Sequence, residues 1–213
     1  MPRRSALYTD PVLLAIDSSA GTSVAVVDHE FGILAERTEP DPMRHAEVVG
    51  ELIAAVLAES GASPAALSAV AIGTGPGPFT GLRVGMAAGR AFAFGAGTPL
   101  IGVVSHDAIA AAHYSAGGWG DVLVVTDARR RERYWSRYAG LDEAGLPRRV
   151  EGPALARPDD LPAAARRIDA TSVSAASLGV LAERLRRSGR ATPVEPLYLR
   201  SPDVTLSAPK RVS

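Results

Sequence analysis

Gly73-Thr74-Gly75-Pro76-Gly77-Pro78-Phe79-Thr80-Gly81-Leu82-Arg83-Val84-Gly85 is the stretch on which the fold assignment turns. Glycine and proline alternate where neither helix nor strand can continue, so residues 75–78 form a loop. From Phe79 or Thr80 a helix runs to about Gly95. A glycine-rich loop entering a helix is a common anion site, because free N–H groups and the helix dipole converge there. No Gly-Lys-Ser/Thr follows, however, so this is not a Walker A loop, and two prolines remove donors that a phosphate cradle would use. The loop reads as stiffened for shape. Within the helix Gly81, Gly85 and Gly89 recur every four residues, continued by Ala93 and Gly97, all on one face. Glycine costs about 1 kcal/mol relative to alanine in a helix interior. Three in register therefore predict close approach of another backbone, in the first place the chain's own sheet. The opposite side presents Arg83, Ala87, Arg90, Ala91 and Phe94, a mixture of arginine, aromatic and small residues suited to a protein interface.

Upstream, the apolar run 12–16 delivers Asp17-Ser18-Ser19 and reads as a buried strand. Residues 22–28 and 32–38 read as two further strands joined by a hairpin turn at 29–32. Asp41-Pro42 then reads as N-cap and first residue of a helix of about 16 residues. Its apolar stripe is Val48, Val49, Leu52, Ile53, Val56 and Leu57, and Gly61 is placed to end it. A strand at 69–74 leads into the glycine-proline loop, and a strand at 99–104 and a helix to about Tyr114 follow the glycine-spaced helix. The first half is thus β-β-β-α-β-α-β-α. The second half echoes it faintly: strands at 121–126, 132–139 and 147–155, a helix at 175–188 carrying Leu178, Leu181 and Leu185, and an extended tail at 193–213 with four prolines.

Composition narrows the field. The 213 residues suffice for one large domain or two small ones. Basic and acidic side chains balance at 23 each, which argues against a free-standing nucleic-acid binder. The balance hides an asymmetry: residues 1–106 carry 6 basic and 10 acidic groups, residues 107–213 carry 17 and 13. The absence of cysteine removes disulfides, thiolate nucleophiles and Cys-ligated zinc, and fits a reducing, cytoplasmic setting. No apolar run reaches the roughly 18 residues of a membrane helix, and no signal-peptide apolar stretch adjoins the basic start, Met1-Pro2-Arg3-Arg4-Ser5.

Three constellations could carry chemistry. Asp17, Ser18 and Ser19 at a strand end could hold Mg²⁺ and contact phosphate, or could satisfy backbone groups in a turn. Asp127, ahead of Arg129-Arg130-Arg131-Glu132-Arg133-Tyr134-Trp135, could be the matching half of such a site, an RNA-facing basic cluster, or a solvated hairpin. His106 has Ala110, not a second ligand, at i+4, and His113 lies about two turns away, so no metal site is expected here. His29 and His45 read as isolated and solvent-facing. No Gly-x-Ser-x-Gly elbow and no close acid–base carboxylate pair are found, so no catalytic residue is assigned.

Leu14-Ala-Ile-Asp17-Ser-Ser, Arg44-His45-Ala-Glu47, the Gly75–Gly85 stretch, Asp127-Ala-Arg129 and Pro196-Leu-Tyr198-Leu-Arg200 together resemble the TsaB (YeaZ) family, in family order from about Val12 to Arg200. The resemblance implies an α/β fold of the actin/Hsp70/sugar-kinase (ASKHA) type, with two related lobes on mixed sheets. The first lobe would be 1–107, carrying the partner-binding helices. The second, 108–213, would be smaller, abbreviated between Asp160 and Ser177, and end in the extended tail.

The resemblance further implies a non-catalytic scaffold or activating subunit of the bacterial complex that adds threonylcarbamoyl to N6 of the adenosine beside the tRNA anticodon. Its partners would be a TsaD-type catalytic subunit and a TsaE-type ATPase, with a homodimer when alone and tRNA met indirectly. The TsaD relative carries a His-x-x-x-His metal pair where this chain has His106 and Ala110. Dimerisation in the family uses two first-lobe helices, which places the interface on Val49, Leu52, Ile53, Val56, Arg83, Ala87, Arg90, Ala91 and Phe94. Asp17, Ser18, Ser19 and Asp127 would be a vestigial nucleotide or Mg²⁺ site, with ATP and Mg²⁺ bound only at a partner or shared interface. Two rivals stay in view: a small Mg-ATP-dependent phosphotransferase or ATPase of the same fold, using Asp17 and Asp127, and an M22-type metallopeptidase, which the missing ligand disfavours.

Overall fold

All thirteen residues of the first two strands, β1 (Val12–Asp17) and β2 (Thr22–Asp28), are buried. A strand with both faces apolar belongs at the centre of a sheet covered on two sides. The computed structural model, which describes residues 12–190 and 193–200, builds that sheet. The basic start Met1-Pro2-Arg3-Arg4-Ser5 and the tail beyond Arg200 lie outside the described residues. β3 (Gly32–Glu39), β4 (Leu67–Gly73) and β5 (Leu100–Val103) complete the order β3-β2-β1-β4-β5, antiparallel from β1 to β3 and parallel from β1 to β5. The turn between β2 and β3 is set by Asp28, whose Oδ1 accepts from the N–H groups of Glu30 and Phe31 at 2.7 and 2.8 Å.

Two helices, α1 (His45–Ser60) and α2 (Phe79–Ala96), cover one face. Val12, Leu14, Ile16, Val24 and Val26 meet Val49, Ile53, Val56, Leu82 and Met86 there. The first helix has the anticipated length but starts three residues later than its sequence signal. The Asp41 carboxylate instead accepts from the Met43 N–H at 2.9 Å, a local turn that competes with capping. Gly61, at φ 70°, ends α1 as anticipated.

The second sheet, β8-β7-β6-β9, repeats the same pairing scheme: β6 (Asp121–Asp127) lies antiparallel to β7 (Arg133–Leu141), which pairs β8 (Pro147–Ala156), and parallel to β9 (Arg166–Asp169). It is abbreviated. Where the first sheet has α1 between its third and fourth strands, this one has a single 3₁₀ turn, Pro158–Asp160. After β9 the chain passes directly to α4 (Ala175–Arg187).

Helices α3 (Ser105–Ser115) and α4 fill the space between the sheets. Leu13, Ala15, Ala25 and Val27 from one side and Val122, Val124 and Tyr138 from the other converge on their alanine-rich faces. α4 follows the second sheet in sequence but packs on the first, so close that a Cβ on Gly179 would stand 2.8 Å from Val27. The two sheets therefore share one core. Among the described residues no helix is long and apolar enough to cross a membrane.

Candidate functional site

The end of β1 is sealed. Asp17 is 1% exposed, and its Oδ1 accepts from the Ser19 N–H and hydroxyl at 2.8 and 2.6 Å. Its Oδ2 accepts from the Ser105 hydroxyl at 2.6 Å, and Ser105 Oγ accepts in turn from the Gly75 N–H at 3.1 Å. Burial pushes the Asp17 carboxyl above its ordinary range against the pull of these donors. The carboxylate thus ties β1, the glycine-proline loop and the start of α3 together, and it is closed off from solvent. Ser18 also ties elements together. Its hydroxyl donates to Gly81 O at 2.8 Å and accepts from the Gly85 N–H at 3.0 Å, bridging one turn of α2.

The glycine register of α2 is explained here. A Cβ on Gly81 would lie 2.5 Å from the His45 ring, one on Gly85 2.3 Å from Ser18 Oγ, and one on Gly89 2.3 Å from Ile72. The close approach is to side chains at the start of α1, just after β1 and within β4. His45 is not solvent-facing. It is 7% exposed, its Nδ1 lies 2.7 Å from Thr22 Oγ1, and burial lowers its pKa, helped by Arg129. Nothing local to the Arg44-His45-Ala-Glu47 segment signals this, because the pocket for the ring is made by Gly81.

The expected interface residues divide. Val49, Ile53 and Val56 are 9%, 8% and 0% exposed and belong to the chain's own core, so they leave the docking set; Leu52 is half-buried. Ala87, Ala91 and Phe94 of α2 are exposed, Phe94 at 92%, and Gly50 and Ala54 of α1 are exposed as well. Arg83 and Arg90 are exposed but engaged. Arg83 stacks on Phe79 at 3.8 Å, and its Nε donates to the Tyr198 hydroxyl at 2.7 Å. Arg90 donates to the Val194 carbonyl at 2.6 Å. The two arginines fasten residues 193–200 along α2, with the Leu197 N–H on Thr74 O at 2.8 Å. Sequence reading misses this clamp, since its partners lie more than a hundred positions away.

The end of β6 is finished differently. Asp127 is exposed and paired with Arg133. Arg129, Arg130 and Arg131 all adopt positive φ, from 52° to 61°, a left-handed run uncommon outside glycine. Among the described residues no hydrogen bond or ion pair links Asp17 to Asp127. A cleft of about 430 Å³ lies beside this corner, lined by His45, Phe79, Arg129, Arg130, Tyr134 and Tyr198 among others. Among the described residues no acidic side chain lines it. Tyr134 reaches across to Gly77 O at 3.3 Å, and Arg200 pairs with Glu132.

His106 is wholly buried, with Nδ1 2.9 Å from Ser136 Oγ and Nε2 2.9 Å from Thr126 Oγ1. Burial lowers its pKa to about 3. It fastens α3 to β6 and β7. Beside it Asp107 accepts from the Tyr138 hydroxyl at 2.6 Å and pairs with Arg149 at 3.3 Å. Among the described residues no three His, Asp or Glu side chains form a group that could hold a metal ion.

Two sheets of matching connectivity, with helices wedged between them, define a two-lobed α/β protein of the actin/Hsp70/sugar-kinase type. The family profile for TsaD, tRNA N6-adenosine threonylcarbamoyltransferase, matches residues 32–165. An uncharacterized protein of Mycobacterium tuberculosis is 41% identical over 90% of this chain and 92% of its own length. The tRNA threonylcarbamoyladenosine biosynthesis protein TsaB of Escherichia coli is 34% identical over 69% of this chain and 63% of its own. The solved structure of YeaZ from Pseudomonas aeruginosa superposes with a TM-score of 0.77 at 25% identity, covering 89% of this chain and all of that one. The chain belongs to the TsaB (YeaZ) family.

Proposed function

We propose that this protein takes part in threonylcarbamoyladenosine biosynthesis on tRNA as a non-catalytic subunit that pairs with a TsaD-type catalytic partner through the outward surfaces of α1 and α2. The observation that carries the reading is Phe94, 92% exposed and in helical register with the exposed small residues Ala87 and Ala91 of α2. A phenylalanine left in water forgoes about 1.5–3 kcal/mol that burial against a partner would supply, and small neighbours let a second helix approach closely. When no partner is present, the same face pairs two copies of the chain.

Catalysis belongs to the partner in this reading, as do ATP and Mg²⁺, with a TsaE-type ATPase as a further component. The burial of Asp17 beneath Ser19 and Ser105 supports this, because a carboxylate shut off from solvent is poorly placed to receive a hydrated cation. Recognition of tRNA is indirect, and the setting is the cytoplasm.

Reconstitution with the TsaD-type subunit tests the reading. Phe94→Asp is the substitution of choice, because Arg90 also holds the tail and its loss would confuse two effects. Association and threonylcarbamoyl transfer are both expected to fall by about tenfold or more, the scale of one lost aromatic anchor. A Phe94→Asp protein that pairs and supports transfer normally would overturn the assignment.

A further inference from the structure

A second pocket, of about 330 Å³, opens on the opposite face of the first sheet, where α4 crosses the end of β2. Its floor is apolar, built from Leu13, Val27 and Val180. Deep in it stands Asp28, 3% exposed. The Oδ1 of Asp28 is consumed by the β2–β3 turn, but its Oδ2 is buried and, among the described residues, has no hydrogen-bond partner. A buried carboxylate oxygen without a donor is costly, and such groups mark places where a ligand or ion completes the structure.

The rim carries the opposite charge. Arg184 and Arg187 line the pocket from successive turns of α4, and both are exposed. Among the described residues neither forms an ion pair with Asp28. Arg187 keeps a loose 3.6 Å contact to Glu183, and Arg184 donates to the Gly145 carbonyl at 3.2 Å. Glu183, which also lines the pocket, is paired with Arg186 at 2.9 and 2.7 Å. The pocket therefore offers a deep anion, an apolar wall and cations at the mouth.

We propose that this pocket binds a free aliphatic amino acid as its zwitterion. The ammonium group donates to Asp28 Oδ2, the side chain lies on Leu13, Val27 and Val180, and the carboxylate faces Arg184 and Arg187. This site is independent of the docking face of α1 and α2, so either proposal can fail alone.

Calorimetric titration of the full chain with L-valine, isobutylamine and isovalerate tests it. L-valine is expected to bind, and each half-molecule about tenfold more weakly or worse, the loss expected when one charged hydrogen-bonding group is deleted. Asp28→Asn retains an oxygen for the turn and is expected to weaken L-valine binding by about tenfold or more with the melting curve unchanged. Arg187→Gln is expected to weaken L-valine but not isobutylamine. Should Asp28→Asn fail to fold, Val180→Phe fills the pocket from its partly exposed wall and must abolish binding. No heat with L-valine at about 10 mM, equal binding of L-valine and isobutylamine, or Asp28→Asn or Val180→Phe proteins that bind as the parent does would each overturn the proposal.

Discussion

β1 and β6 have the same neighbours, an antiparallel strand that follows in sequence and a parallel strand on the other side, yet the corners they lead into are finished in opposite ways. After β1, Asp17 is 1% exposed and held by two serine hydroxyls and a backbone N–H. After β6, Asp127 has a side chain 65% exposed and leads into three arginines in left-handed conformation. The first corner has become a structural joint. The second has kept an open, cationic border on a cleft. One architecture repeated within a chain thus leaves its two halves free to be used differently once a shared core holds them together.

The largest expected difference between the corners is their response to acid. His106 anchors the second corner through Thr126 and Ser136, and its folded pKa of about 3 lies below the ordinary 6.5. The unfolded chain therefore takes up a proton that the native state refuses. Stability from this group is fully present above pH 6.5 and is lost as pH falls toward 3, by about 1.4 kcal/mol per pH unit. Asp17 works with the opposite sign: its raised pKa lets the native state accept a proton before the unfolded chain does, which favours folding as pH falls. Urea unfolding across pH 7 to 4 should show His106→Gln lacking most of the parent's acid loss. Parallel profiles for the two proteins would remove His106 from the account.

Next in size is the tightness of the first corner. Gly85→Val would drive a branched side chain into Ser18, where even a Cβ comes to 2.3 Å of Oγ, and should destabilise by about 3 kcal/mol or prevent folding. Smaller again is the direct contrast of the aspartates. Asp17→Ala strands three donors and should cost about 2–3 kcal/mol, while Asp127→Ala removes an exposed ion pair and should cost less than about 0.5 kcal/mol. Equal losses by thermal or chemical denaturation would erase the distinction between the corners.

Much of this is legible in the sequence. The full-length apolar strands, the stripe of α1 and the glycine register of α2 each carry their own periodicity, and each element stands where that periodicity places it. What is not legible depends on residues far apart in sequence. β9 escapes a periodicity search because Arg166-Arg167-Ile168-Asp169 offers a single apolar side chain, and the strand exists through parallel backbone pairing with β6. His45 looks isolated because its cavity is the missing side chain of Gly81. Arg83 and Arg90 suit an interface by type, and their engagement with the tail cannot be inferred from spacing. Val49, Ile53 and Val56 fall on the expected docking face because a helical stripe marks an apolar side without saying what covers it, and the chain's own sheet does.

The tail clamp has a consequence in time. Tyr198 and Val194 bond to arginines 115 and 104 positions earlier, so these contacts form only after every described strand and helix has been synthesised. The strands of both sheets and the helices between them are all encoded by residue 187. The surface of α2, by contrast, is completed only when residues 193–200 have left the ribosome. A chain stopped at the end of α4 would have every strand and helix but lack the apolar cover of Val194 and Tyr198 and the finished edge beside α2. The order of synthesis thus withholds the finished surface of α2 until residues 193–200 have emerged.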